Sequence, residues 1–415
     1  MRANWKTVPI SELYEGLYDG PHATPKPSDA GPVFLGIKNV TDDGHLDMSD
    51  IRHIAEEDFP TWTRRVEPKP GDIVFTYEAT LNRYAIIPQG FRGCLGRRMA
   101  LIRTNPKKVE TLFLFYYFFS PSWREVIKGN MMTGSTVDRI PLITFPGFPV
   151  TLPPLPIQRR IAGILSAYDD LIENNQRRIK ILETMARTLY REWFVHFRFP
   201  DHENVRRVPS PLGEIPEGWE IKNLPECVHV NPRVVVPRDG EKSFVPMGCL
   251  SNDSMLITDI ESRTGNSGAK FQNRDTLFAR ITPCLENGKT GFVQFLPDKE
   301  SVAFGSTEFI VLRSRTLSPE FVYCLARSDE FRGVAIKSMS GATGRQRVQE
   351  RCFDDFQITQ PPYALIDRFS DVVAPSFRLI YKLHLQIQNL RRTRDLLLPR
   401  LLSGQIDVEA FSSHA

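Results

Sequence analysis

Cysteine is scarce in this 415-residue sequence, and no pattern links the six residues that are present. No two of them form a Cys-x-x-Cys pair, which argues against a disulfide scaffold or a zinc ribbon and suits a reducing cytoplasm. The strongest apolar run, residues 111–119, is far shorter than the ~20 residues that span a bilayer. The first ten residues contain no apolar signal segment. We therefore expect a cytoplasmic protein with no metal site and no membrane association.

A large excess of charge of one sign is also missing. The sequence has 53 Lys and Arg against 49 Asp and Glu, which gives a net charge of +4. This value is too small to indicate nucleic-acid binding by itself. Any DNA binding must therefore come from local basic patches and from contacts with base edges. The length predicts about three structural units at ~150 residues each.

Several catalytic motifs are absent or incomplete. Asn231-Pro232 is followed by Arg233, whereas the catalytic loop of an adenine methyltransferase continues with a second proline. No Gly-x-Gly-x-x-Gly loop is present to hold a methyl donor, and no His-Glu-x-x-His sequence occurs. Gly288-Lys289-Thr290 supplies only the end of a nucleotide-binding loop, because Pro283 occupies the first glycine position. Pro297-Asp298 is not followed by the spaced residues of a metal-dependent nuclease. Together these absences favour a non-catalytic recognition role.

What the sequence does contain is an internal duplication. The segment Leu152–Gln158 resembles Gln360–Ile366, and Pro153 lies 208 positions before Pro361. Just upstream, residues 133–136 match residues 340–343 at an offset of 207. A long periodic stretch follows each copy of the proline motif. The chain is therefore predicted to alternate a globular domain, a long helix, a second globular domain and a second long helix.

Both periodic stretches have apolar residues at alternating gaps of four and three, which is typical of a coiled-coil seam. The predicted seam consists of Ile161, Leu165, Tyr168, Ile172, Asn175, Ile179, Leu182 and Leu189 in the first helix, and Val373, Ile380, Leu383, Ile387, Leu390 and Leu397 in the second. We expect the two helices to pair with each other, antiparallel, with Asn175 fixing the register. The alternative is that each helix packs separately on its own globular domain. Pro375 predicts a kink or a later start of the second helix.

The predicted fold class is α+β, with two similar mixed α/β domains separated by a pair of long antiparallel coiled-coil helices in a pseudo-twofold tandem duplication. The predicted boundaries are 1–152 for the first domain, 153–198 for the first helix, 199–359 for a linker and the second domain, 360–404 for the second helix and 405–415 for a tail. Residues 111–128 and 319–337 are each predicted to form one helix. The proline-rich linker Arg198–Pro216 is predicted to be extended.

Two loops at the same place in the duplication are the strongest candidates for a binding surface. Residues 337–347 contain three basic side chains, no acidic one and two glycines that allow close approach of the backbone. Residues 132–139 form the corresponding loop. The alternative for these loops is an ordinary connection before a strand, and for the other candidates a solvated face or turn. The candidate DNA-binding residues are His22, Thr24, Lys26, Arg97, Arg98, Thr133, Gly134, Ser135, Thr136, Arg139, Arg280, Asn287, Lys289, Lys337, Ser340, Gly341, Thr343, Arg345 and Arg347.

The whole chain resembles the specificity (S) subunit of a type I restriction–modification system. The resemblance depends on the repeated plan of domain and helix and on the order and spacing of short motifs. These motifs are Gly134–Thr136, Leu152–Gln158, Ile215–Trp219, Phe278–Lys289 and Arg400–Ile406. One departure is the sequence Gln360-Pro361-Pro362-Tyr363, which is a weakened copy of the first proline motif.

The resemblance implies two target recognition domains, each of which reads one half of a split sequence in double-stranded DNA. It also implies that the helices space these domains and dock two methyltransferase (M) subunits, which carry S-adenosylmethionine and methylate adenine. A further restriction and translocase (R) subunit would join through the complex. No cofactor is expected in this chain. Two alternatives stay open, a non-catalytic coiled-coil scaffold that binds only proteins and a DNA-modifying enzyme with cryptic motifs.

Overall fold

The structure is a computed structural model that describes residues 4–133, 137–342 and 344–408. Contacts between Cα atoms divide the chain into two compact units. The first unit combines the residues up to Ile172 with those from Asn389 onward, and the second unit is Glu173–Gln388. Each unit therefore contains one globular part and a segment of each long helix.

The globular part of the first unit is mixed α/β. Its strands are β1 (Lys6–Pro9), β2 (Tyr14–Asp19), β3 (Ser28–Leu35), β4 (Arg52–His53), β5 (Ile73–Thr76), β6 (Tyr84–Ile86), β7 (Gly93–Leu95), β8 (Met99–Thr104) and β9 (Pro149–Leu152), and its helices are α1 (Phe59–Trp62), α2 (Thr111–Tyr117) and α3 (Pro121–Asn130). One antiparallel sheet has the order β2-β8-β5-β6 and a smaller sheet the order β4-β3-β7, while β1 pairs with β9. The core is rich in aromatic residues, and the fully buried Trp123 donates from Nε1 to the hydroxyl of Tyr84 at 2.8 Å.

The first long helix, α4, covers Leu155–Tyr190 and continues as a short π-helix over Arg191–Val195. Pro156 lies in its first turn, where a missing N–H group costs nothing.

The second unit repeats the mixed arrangement. Its strands are β10 (Arg207–Ser210), β11 (Gly213–Pro216), β12 (Glu220–Asn223), β13 (Val228–Val230), β14 (Lys242–Val245), β15 (Glu261–Arg263), β16 (Ala269–Gln272), β17 (Thr276–Ala279), β18 (Thr290–Phe292), β19 (Val302–Gly305), β20 (Phe309–Ser314) and β21 (Gln357–Gln360), and its helices are α5 (Leu224–Cys227), α6 (Pro319–Ala326) and α7 (Asp329–Lys337). The two four-stranded sheets have the orders β13-β20-β17-β18 and β15-β14-β19-β16. The β17–β20 pair corresponds to β5–β8 of the first unit, because both are antiparallel four-residue ladders in the middle of their sheets.

The second long helix, α8, runs without interruption over Tyr363–Leu402. The expectation that Pro375 delays the start of this helix is therefore wrong. Phe369, Val373 and Phe377 are almost fully buried on both sides of the proline. We attribute the continuity of the helix to this packing, which outweighs the backbone hydrogen bond that proline cannot make.

Two further sequence predictions need correction. Residues 111–128 form two helices rather than one, because the Ser120 side chain accepts a hydrogen bond from Trp123 N at 3.2 Å and starts a new helix at Pro121. Residues 319–337 divide in the same way, since Ser328 caps α7 by accepting from Phe331 N at 3.3 Å.

The linker 198–216 is not extended throughout. Its second half folds into the hairpin β10–β11, with Ser210 opposite Gly213. Gly213 has φ of +98°, a conformation that favours glycine and lets the chain reverse over two residues. Pro211 therefore lies in the turn, and Pro209 and Pro216 lie in the two paired strands.

Within each unit, the segments of α4 and α8 pack against each other and run antiparallel. In the second unit, Trp193 lies 6.1 Å from Phe369 between ring centroids, and Asn175 Nδ2 donates to Gln386 Oε1 at 3.2 Å. In the first unit, residues near the start of α4 share a hydrophobic core with Leu401 of α8. The predicted seam residues all lie in the described part of the chain, and each is buried or half-buried. The helices also contact the globular part of their own unit.

Polar contacts attach the long helices to these globular parts. In the first unit, Tyr116 Oη of α2 donates to Asp169 Oδ2 of α4 at 2.5 Å, and Arg394 Nη1 of α8 donates to Asp169 Oδ1 at 2.5 Å. In the second unit, Glu183 of α4 is only 4% exposed and accepts from Ser254 Oγ at 2.7 Å and from Met255 N at 2.8 Å. Different residues therefore fix each globular part to its helices.

Among the described residues, no helix has the length and hydropathy required to cross a membrane.

Candidate nucleic-acid interface

In both candidate loops, the same pair of main-chain hydrogen bonds joins the first residue of a segment to the last. In the first unit, Met132 N donates to Arg139 O at 2.9 Å and Arg139 N donates back to Met132 O at 3.1 Å. In the second unit, Ser340 N donates to Arg347 O at 3.0 Å and Arg347 N to Ser340 O at 2.9 Å. In each unit, a pair of main-chain hydrogen bonds thus joins the first and last residues of an eight-residue segment.

In the first unit, this loop meets the ends of two central strands. Ile140 N donates to Tyr77 O at 2.7 Å, and Ala79 N donates to Asp138 O at 3.0 Å, so the loop adjoins the segment that follows β5. Tyr77 N in turn donates to Arg98 O at 3.2 Å, in the turn before β8. We call this meeting point the first junction, consisting of Tyr77–Ala79, Arg98 and the described residues of loop 132–139.

The second unit has an equivalent meeting point. Val348 N donates to Arg280 O at 2.8 Å, and Thr282 N donates to Gln346 O at 3.1 Å. Arg280 N donates to Glu308 O at 3.0 Å, in the turn before β20. The second junction consists of Arg280–Thr282, Glu308 and the described residues of loop 340–347. Its main-chain hydrogen bonds reproduce those of the first junction one by one.

Side chains at equivalent positions of the two junctions differ. Tyr77 corresponds to Arg280, because both residues follow the last residue of a β5-type strand. By the same register, Arg98 corresponds to Glu308, since each directly precedes the partner strand. Arg139 and Arg347 correspond to each other and are both exposed. One backbone arrangement therefore presents two different sets of functional groups.

Ion pairs organise the second junction. The Arg347 guanidinium binds Glu308 through two N–H groups, with Nε 2.9 Å from Oε2 and Nη2 2.6 Å from Oε1. This hydrogen bonding lowers the pKa of Glu308, so its carboxylate stays ionised at neutral pH. Arg280 Nη1 donates to Glu350 Oε1 at 2.6 Å. The two arginines are consequently held in place rather than freely mobile.

The first junction has a different electrostatic environment. Arg98 Nε lies 2.9 Å from Glu78 Oε1, and Arg98 has a positive φ of 69°. Burial raises the pKa of Tyr77, and the negative charges of Asp19 and Glu78 raise it further. Tyr77 therefore keeps its hydroxyl proton at neutral pH and can donate a hydrogen bond.

The remaining candidates divide into four groups. His22 lies near the first junction, because its Nε2 is 3.1 Å from Oδ2 of Asp19, one of the charges that act on Tyr77. Lys289 Nζ donates to the carbonyl of Met247 at 3.2 Å and thus has a structural contact. Exposed candidates are Thr24, Lys26, Arg97, Thr133, Asn287, Lys337, Ser340, Gly341 and Arg345. Gly134, Ser135, Thr136 and Thr343 lie outside the described residues.

Sequence reasoning missed the acidic residues of the junctions. Glu308 and Glu350 each bind a candidate arginine, and Glu78 pairs with Arg98. The only sequence signal for Glu308 is its place immediately before a strand, where Arg98 stands in the first half. The role assigned to each candidate residue remains a prediction.

Comparison with known proteins finds similarity to DNA-specificity proteins of restriction–modification systems. The family described as the type I restriction modification DNA specificity domain matches residues 40–184. The MjaIX specificity subunit of Methanocaldococcus jannaschii is 26% identical over 379 residues, covering 86% of this chain and 82% of that protein. The EcoEI specificity subunit of Escherichia coli is 34% identical over 156 residues, but the match covers only 36% of this chain and 26% of that protein.

A solved structure supports the fold. The S subunit of the type I restriction–modification system from M. genitalium superposes with a TM-score of 0.58 at 14% identity, over 96% of both chains. The family match over residues 40–184 and the fold are both similar to those of DNA-specificity proteins. Over most of its length this chain is similar to specificity subunits of type I restriction–modification systems, as its motifs predicted.

Proposed function

We propose that this chain is the sequence-specific DNA-recognition subunit of a type I restriction–modification complex, and that each junction reads one half of a bipartite target. The observation that carries this proposal is the pair of equivalent backbone arrangements with different side chains. A duplicated scaffold that varies only in the groups it presents is suited to reading two different base sequences.

The groups at the junctions match the chemistry of base edges in the major groove. Arginine can donate two hydrogen bonds to the O6 and N7 atoms of guanine. The hydroxyl group of the exposed Ser340 can bind bases or phosphates. Because Arg98 in the first junction is replaced by Glu308 in the second, we expect the two half-sites to differ.

The chain itself is proposed to be non-catalytic. We assign S-adenosylmethionine and adenine methylation to two methyltransferase subunits docked on the paired helices α4 and α8, and DNA translocation and cleavage to a further subunit. Calorimetry of the isolated chain with S-adenosylmethionine tests this assignment. Heat of saturable binding would overturn it and favour an enzyme with cryptic motifs.

The function is tested by co-expression with the methyltransferase subunit of the same system, followed by single-molecule sequencing of methylated adenines. We expect a split motif that appears only when both chains are present. A short continuous motif would contradict the two-junction proposal. A stable complex without new methylation would favour the protein scaffold instead.

A further inference from the structure

The position before the strand that pairs with β5 or β17 carries opposite charges in the two halves. In the first unit this residue is Arg98, paired with Glu78, whereas in the second it is Glu308, paired with Arg347. A carboxylate is an unexpected group on a surface that faces polyanionic DNA. Its presence at the centre of the second junction therefore needs a reason.

The geometry of the Glu308–Arg347 ion pair supplies a reason for this carboxylate. Glu308 contacts both Nε and Nη2 of Arg347, which fixes the plane of the guanidinium. The Arg347 side chain is nevertheless 50% exposed, while that of Glu308 is 20% exposed. Since a guanidinium has five N–H groups, those not used by Glu308 remain available to a ligand on the exposed side.

We propose that Glu308 is a specificity-determining positioning residue, which holds Arg347 in one orientation for base reading and offsets its attraction for phosphates of any sequence. This inference rests on the proposed function of the second junction. Without the carboxylate, Arg347 would be a mobile cation at the DNA surface. It would then bind backbone phosphates wherever they occur, at the expense of discrimination between sequences.

The test compares Glu308→Gln with Glu300→Gln in the co-purified complex with the methyltransferase subunit. Both changes remove one negative charge, but Glu300 is an exposed residue before β19, whereas Glu308 follows that strand. Binding is measured with a duplex that contains the methylated motif and with a shuffled duplex of the same length, over a range of salt concentrations. The circular dichroism spectrum and thermal midpoint of each variant establish that it is folded.

For Glu308→Gln we expect tighter binding to the shuffled duplex and a loss of roughly tenfold in the ratio of specific to non-specific affinity. The salt dependence should steepen by about 0.9 in log K against log salt, the value for one additional phosphate contact. Glu300→Gln should leave the affinity ratio unchanged. An unchanged ratio in Glu308→Gln, or an equal change in both variants, would overturn the proposal.

A double-mutant cycle separates positioning from direct base contact. In an Arg347→Ala background, Glu308→Gln should have no further effect on the affinity ratio, because the residue acts through Arg347. If Glu308→Gln weakens specific binding equally in both backgrounds, Glu308 itself contacts a base and the positioning role is wrong. Failure of the wild-type complex to prefer its methylated motif would instead refute the proposed function.

Discussion

Replacing Asp169 by Asn should loosen the attachment of the first globular part to the long helices. The Asp169 carboxylate accepts from Tyr116 Oη and from Arg394 Nη1, both at 2.5 Å. Hydrogen bonds to a charged group contribute about 1.5–3 kcal/mol each. The Asp169 and Arg394 side chains are 24% and 17% exposed, and Arg394 keeps a second partner in Asp395. We therefore expect a total loss of about 2 kcal/mol, below the sum of two such bonds.

Urea unfolding measures this loss. With a denaturant dependence of about 2 kcal/mol per M, the midpoint of the first unit should fall by roughly 1 M. Hydrogen exchange followed by mass spectrometry shows which unit is affected. Relative to the wild type, Asp169→Asn should accelerate exchange in peptides around Tyr116 more than in peptides of the second unit. Asp170→Asn is the matched control, because Asp170 is the neighbouring residue in the helix, carries the same charge and is exposed. Equal midpoints for the two variants would refute the reasoning.

Three further predictions concern the helices and the second junction. Ile179 is 7% exposed, so Ile179→Asp should place a charge in the helix seam, destabilise the chain by several kcal/mol and reduce co-purification of the methyltransferase subunit. Ile181→Asp, at a residue that is 50% exposed, should have neither effect. Equal recovery of the methyltransferase subunit with both variants would show that its docking does not depend on the seam. Burial raises the pKa of Glu183 in the folded state, so its stabilising contribution should fall as the pH rises through the ordinary glutamate range to the raised value. Unfolding midpoints of Glu183→Gln should therefore improve relative to wild type over that interval, and the opposite trend would contradict the assignment. Arg345→Ala, at an exposed loop residue, should weaken DNA binding without changing the thermal midpoint, and unchanged binding would favour the scaffold function.

The long helices could be predicted from sequence because a spacing of four and three residues directly encodes a buried face. Their local boundaries were less predictable. Ser120 interrupts an apolar stretch, whereas Ser328 lies between Arg327 and Asp329, and in both places the role of the serine as a helix cap reveals the break. At Pro375 the sequence predicted a break that the structure does not have, because tertiary packing retains a helix that the local helix propensity opposes.

The binding surface was predictable only in part. The basic loops stand out in the sequence because they are duplicated and contain few acidic residues. Their partners do not, because Glu308 lies 39 positions before Arg347 and reaches it only through the pairing of β17 with β20. Contacts set by sheet register depend on which strands become neighbours, and the local sequence does not predict which strands will pair.

The division of the chain into units has a consequence for its synthesis. The second unit, Glu173–Gln388, is one continuous stretch, whereas the first needs residues from Asn389 onward to complete its core, including Leu401. Domains commonly acquire structure in the order in which they leave the ribosome. Here the core of the amino-terminal half becomes complete only after the whole of the second unit has emerged. A nascent chain stalled before Asn389 would therefore leave uncovered the part of the first core that Leu401, Leu402 and Val408 cover.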